Sequence, residues 1–145
     1  MPKLYRHWAL AAMAMTCAAW LAAGIAVAQD PRASAAQAAA REWLALADRS
    51  DAKASRDAAG KKFQTAMPAE GWSNALAKAR TPLGALKSRT IFKTDFTKKF
   101  QDYPEGEYAL IVYLTSFANK AQSQETVTLE HESDGKWRVI GYAIR

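Results

Sequence analysis

Tyr108-Ala109-Leu110-Ile111-Val112-Tyr113-Leu114-Thr115-Ser116-Phe117-Ala118-Asn119 is the stretch on which the fold turns. Two alternating sets run through it. Tyr108, Leu110, Val112 and Leu114 share one parity; Ile111, Tyr113, Thr115 and Phe117 share the other. Successive side chains of a strand point to opposite faces, so apolar residues in both sets predict a central strand covered on both sides. Downstream, Asn119-Lys120-Ala121-Gln122 reads as a turn. Glu125-Thr126-Val127-Thr128-Leu129 reads as a half-buried strand with Val127 and Leu129 inward. Asp134-Gly135 is a hairpin signal, and Trp137 to Ile144 is the last strand. Upstream, Leu86, Ser88, Thr90, Phe92, Thr94 and Phe96 fall on one face of a period-2 segment. A loop from Gln101 to Gly106 separates it from Tyr108.

The chain before these strands has a different period. Ala36, Ala39, Ala40, Trp43, Leu44 and Ala47 recur at helical spacing, with Trp43 and Leu44 anchoring the buried stripe. Asp51 suits the N-cap of a second helix running to about Ala66, anchored by Phe63 and with a possible break near Gly60. A third helix, from about Trp72 to Arg80, carries Trp72, Leu76 and Ala79 on one side and ends at Thr81-Pro82. Three N-terminal helices packed on a curved four-stranded antiparallel sheet make an α+β domain. The expected organisation is a signal peptide over residues 1–28, a mobile tether over 29–36 and a single α+β domain over 37–145.

The leader decides the address. Lys3 and Arg6 precede an apolar run from Trp8 to Val27, and Ala26-Val27-Ala28 offers the small-x-small site of a signal peptidase. Cleavage is expected between Ala28 and Gln29, giving a periplasmic or secreted protein with no integral membrane span after the cut. The rival is an inner-membrane anchor through residues 8–28, because the run approaches the ~20 residues that cross a bilayer. Cleavage leaves 117 residues, one domain with one core. The leader holds two cations and no acids, so the formal charge of +6 falls by two to +4. That is a weak basic bias, not a nucleic-acid signature. Lys61-Lys62 and Lys93 with Lys98-Lys99 read as solvated surface. Cys17, the one cysteine, leaves with the leader, which removes thiolate and disulfide roles.

The residue inventory is poor in chemistry. His131 is the one imidazole after the leader, too few ligands for zinc, so no metal and no cofactor is expected. It reads as a strand-end residue at the edge of the core. No glycine-rich loop opens a helix, and no Gly-x-Ser-x-Gly occurs. An acid–base site needs a carboxylate in an apolar pocket beside a hydroxyl donor. Tyr108, Tyr113 and Tyr142 offer hydroxyls, but Asp95 has outward parity, Glu125 sits beside a turn and Glu130 should face solvent.

Three blocks carry a resemblance. They are Trp72 and Leu76 with Arg80-Thr81-Pro82-Leu83-Gly84 and Ser88-Arg89; Thr115-Ser116-Phe117-Ala118-Asn119-Lys120 with Glu125-Thr126-Val127-Thr128; and Gly135-Lys136-Trp137-Arg138-Val139 with Gly141-Tyr142 and Ile144-Arg145. Together they resemble the secreted bacterial family called domain of unknown function 4019, from about Ala39 to the end. The resemblance implies location and class but no activity. It also implies an aromatic near Arg56, whose replacement would loosen the packing or lay Arg56 over the sheet through its methylenes. The element order is similar to the ketosteroid-isomerase-like cone fold, in which a curved sheet and three helices enclose a pocket; that similarity carries no function.

Arg80 and Arg89 are the notable charges. Arg80 suits a helix C-terminus. Arg89, sharing parity with Ile91, is expected to be partly buried and paired to Asp95 or Glu125, or else to bind an anion. The ligand-pocket candidates are Trp72, Arg89, Tyr113, Phe117 and Tyr142. The expected function is a non-enzymatic ligand-binding or protein-interaction module of the cell envelope, its partner a small ligand or an envelope protein. The alternatives are a cone-fold acid–base enzyme of isomerase or dehydratase type and a self-associating module, a homodimer, using the two-sided strand 108–119.

Overall fold

The computed structural model describes residues 30–145. The expected leader and its cut between Ala28 and Gln29 lie outside the described residues. Helix α1 (Pro31–Asp48) begins inside the stretch expected as a tether. The Asp30 carboxylate accepts the Arg32 N–H at 2.9 Å and Pro31 occupies the first turn, two helix-start devices that outweigh the linker-like composition. Ala33, Ala36, Ala40, Trp43, Leu44 and Ala47 form its buried stripe.

The expected second helix is two, so the helices number four rather than three: α2 (Ala52–Ala58), α3 (Lys61–Ala66) and α4 (Ala69–Arg80) follow α1. The break falls at Gly60, which is extended and donates its N–H to the Val139 carbonyl at 2.8 Å. A Cβ there would lie 2.7 Å from Glu132 Oε1 and 3.0 Å from Ile140 Cγ2, so any side chain would have to displace these neighbours. A 3-10 turn (Thr81–Leu83) closes the helical half. Arg56 does not lie over the sheet. Its Nε and Nη2 donate to the carbonyls of Met67 and Gln64 at 2.8 and 2.9 Å, satisfying the open end of α3.

Four strands, β1 (Leu86–Thr97), β2 (Tyr108–Phe117), β3 (Lys120–His131) and β4 (Trp137–Ile144), form an open antiparallel sheet in the order β1-β2-β3-β4. The fold class is α+β, as expected. The core lies between the helices and the sheet face carrying Ala109, Ile111, Tyr113, Val127, Leu129 and Val139. At its centre Phe63 packs edge to face with Trp43 and Trp72, the Phe63 and Trp72 centroids 4.9 Å apart, and the two indoles are tilted against each other. The buried Ser55 serves both indoles: Trp43 Nε1 donates to its carbonyl at 2.7 Å and Trp72 Nε1 to its hydroxyl at 2.9 Å.

The unbroken alternation expected along β1 is interrupted. A register shift between Ile91 and Lys93 leaves Phe92 as the extra residue. Before it, Arg89 and Ile91 stand opposite the inward Thr115 and Tyr113; after it, Thr94 and Phe96 stand opposite the inward Ile111 and Ala109. One inserted residue therefore exchanges the faces, and Thr90 does not share the side of Phe96. Phe92 is 64% exposed. Glu130 does not face open solvent: Lys62 Nζ donates to it at 2.5 Å, which also removes Lys62 from the expected solvated cluster. His131 bonds the Gly135 carbonyl and Glu107 and stacks on Trp137, at the edge of the core.

Candidate functional site

Two cations and two carboxylates, which the sequence scatters from residue 48 to residue 125, meet beneath the sheet face that the helices cover. Asp48 closes α1, Arg80 closes α4, Arg89 projects from β1 and Glu125 from β3. Arg89 Nη1 and Nη2 each donate to Asp48 at 2.8 Å. Its Nε and Nη2 donate to Glu125 at 2.6 and 3.1 Å. Arg80 donates to Asp48 at 2.7 Å and to Glu125 at 3.4 Å. Thr115 Oγ1 and the Tyr142 hydroxyl complete the shell of Glu125 at 2.6 and 2.5 Å. Glu125 is fully buried and Arg80 nearly so.

The local sequence explains the convergence. Glu125 shares strand parity with Val127 and Leu129, so the pleat that buries them buries it too. Asp48 sits at a helix C-terminus, where the macrodipole disfavours a carboxylate, and the two guanidinium groups offset that. Charges sum to zero across the four. Burial works to raise the Asp48 carboxyl, but the bonds and charges of Arg89 and Arg80 outweigh it and hold the group below its ordinary value. Arg89 moves further into the protonated range: burial opposes this, and its bonds to Asp48 and Glu125 prevail. Burial pushes the Tyr142 hydroxyl up, with the neighbouring Glu125 adding to the effect.

Of the five candidate pocket residues, Arg89 and Tyr142 meet on Glu125. Phe117 lies under the Arg80 guanidinium, 4.8 Å from ring centroid to carbon. Tyr113 stands beside Glu125 in the β2–β3 register. Trp72 lies in the aromatic core against Trp43, whose ring packs 5.2 Å from that of Tyr142. The pairing expected for Arg89 falls on Glu125; Asp95 pairs with Lys93 at 2.8 Å instead. Glu125 is not beside the turn, because the β2–β3 hairpin closes at Ala118-Asn119 and β3 already runs from Lys120. Asp48 is not among the residues that the sequence singles out. Its signal was an acid in the last turn of a helix, which asks for a cationic neighbour.

A groove of about 460 Å³ opens beside this cluster, between α1 and the edge strand β1. Arg41 and Leu44 line it from α1, Arg89, Thr90 and Ile91 from β1, and Tyr113 from β2. Among the described residues no group of His, Cys, Asp and Glu is placed to hold a metal ion, and no helix is long and apolar enough to cross a membrane.

A family model described as "Protein of unknown function (DUF4019)" matches residues 39–142. No curated protein matches the chain.

Proposed function

The chain belongs to the DUF4019 family, which brings no activity with it, and from the chain's own geometry we propose an exported, non-enzymatic binding module of the cell envelope. The observation that carries this reading is the groove. Its walls join guanidinium and apolar groups, and among the described residues no carboxylate lines it. Pockets of this size, mostly apolar with a few convergent polar groups, hold small molecules.

The sealed cluster favours binding over acid–base catalysis. Glu125 and Tyr142 form the carboxylate–hydroxyl pair such a site needs, yet each is spent on its neighbours. Glu125 accepts from Arg80, Arg89, Thr115 and Tyr142, and the Tyr142 hydroxyl also accepts from Arg80 at 3.1 Å. A general base must reach the proton it takes, and Glu125 exposes no surface. Export rests on Lys3, Arg6, the apolar run and Ala26-Val27-Ala28. A cut before Gln29 leaves the Asp30 cap and the whole of α1 intact.

Native mass spectrometry of the protein taken from its host's envelope fraction tests the proposal. The expected result is a chain beginning at Gln29 that carries a non-covalent adduct of a few hundred daltons, on the scale such a pocket holds. A bare chain, or one whose added mass is a second copy of itself, overturns the small-molecule reading.

A further inference from the structure

We propose that the groove between α1 and β1 takes an amphipathic monocarboxylate, its head between Arg41 and the Tyr113 hydroxyl and its apolar body along Leu44 and Ile91. This rests on the binding reading and adds the chemical class.

The first ground is an unpaired hydroxyl. Tyr113 is 2% exposed and its hydroxyl oxygen has no hydrogen-bond partner among the described residues. The other buried tyrosine hydroxyls are served: Tyr108 donates to the Pro104 carbonyl at 2.7 Å and Tyr142 to Glu125. A buried hydroxyl without a partner is costly, and an acceptor entering the groove relieves it. Burial raises the Tyr113 hydroxyl above its ordinary value, with the charges of Arg41 and Arg89 pulling the other way. The phenol thus keeps its proton and donates.

The second ground is the charge count. Arg89 and Arg80 are neutralised by Asp48 and Glu125. Arg41, exposed at the mouth, makes no ion pair among the described residues. The groove therefore carries one uncompensated positive charge, which one negative charge matches. A dianion such as a phosphate monoester leaves one of its charges unpaired. A planar guanidinium fork pairs with the two oxygens of a carboxylate in plane.

The third ground is the remaining wall. Leu44 is almost fully buried and Ile91 is 37% exposed. An apolar body laid between them covers Ile91 and removes apolar surface from water. The Tyr113 hydroxyl oxygen is itself buried, so a carboxylate reaches it only when a side chain lining the groove moves aside.

Calorimetric titration of the full-length protein with octanoate, octanol and octyl phosphate tests the class. Octanoate should saturate one site, with octanol and octyl phosphate each weaker by about tenfold or more. Tyr113→Phe and Arg41→Gln should each weaken octanoate about tenfold and octanol by less, because only the carboxylate brings a charge to the head site. Both substitutions retain the ring or the helix, so circular dichroism checks the fold independently. Octanol binding as tightly as octanoate, or both variants binding octanoate as the parent does, overturns the proposal. Absence of octanoate binding while the native adduct persists overturns the carboxylate class alone. Absence of both overturns the binding reading with it.

Discussion

Asp48 and Arg89 meet end to end, the two Nη nitrogens of the arginine donating to the two carboxylate oxygens at 2.8 Å each. One residue closes helix α1 and the other lies on the edge strand β1. The pair is therefore a strap from the helical layer to the open side of the sheet. Arg89 then turns its Nε to Glu125, joining β1 to β3 beneath β2. Removing one member of such a cluster leaves its partners as buried charges.

Arg89→Ala should accordingly cost about 3–5 kcal/mol, since it leaves Asp48 and the fully buried Glu125 to share the single charge of Arg80. Arg41→Ala, on the exposed face of α1, should stay within about 0.5 kcal/mol. Urea denaturation of both variants checks the contrast; equal and small losses would show that the cluster holds nothing.

Asp48 also sets an acid limit. Its carboxyl is held below 3.8 in the folded chain by Arg89 and Arg80 against the pull of burial. A depressed folded value means that the contribution is present above the unfolded value and fades as pH falls through the folded one. Stability should therefore drop below about pH 4 in the parent, and less steeply in Asp48→Asn. Melting temperatures between pH 2 and 6 measure it. Parallel curves for parent and variant count against the strap.

Gly60 marks where the helices touch the β4 edge. A methyl group there meets Ile140 Cγ2 at 3.0 Å and Glu132 Oε1 at 2.7 Å. The glutamate end can swing aside, but the isoleucine is 7% exposed and packed. Gly60→Ala should destabilise by about 1–3 kcal/mol, read from the denaturation midpoint. A neutral result means that the α2–α3 junction shifts freely off the sheet.

Ser55 is a small residue with two large dependants. Ser55→Ala keeps the carbonyl that serves Trp43 but removes the hydroxyl that accepts from Trp72 at 2.9 Å. The orphaned, buried indole N–H should cost about 1–3 kcal/mol. Ser55→Thr is no rescue, because the site exposes no surface to take a methyl group. Near-ultraviolet circular dichroism should change with the loss, as three aromatic rings share that packing.

Much of the fold was legible in local patterns. The double alternation of residues 108–117 identified the strand that the sheet places second of four, and Asp134-Gly135 identified the β3–β4 hairpin. The break at Gly60 was visible as a glycine in a helical run, though not its reason, a hydrogen bond to a strand nearly 80 residues later. The faces of β1 were misread where one extra residue at Phe92 exchanges them, since a bulge has no side-chain signature of its own.

Periodicity, caps and turn residues determined the α+β class, with helices ahead of four strands, and much of the apolar core, because each depends on residues within a few positions of one another. The same sequence placed Arg89 against a carboxylate and named Glu125 among two choices. Only the tertiary structure brought Asp48, Arg80, Arg89 and Glu125 to one point, and only it left the hydroxyl of Tyr113, a residue lining the groove, without a partner among the described residues. Buried charges are paired by whichever opposite charge the folded backbone delivers within about 4 Å, and that distance is a property of the packed layers, not of any segment.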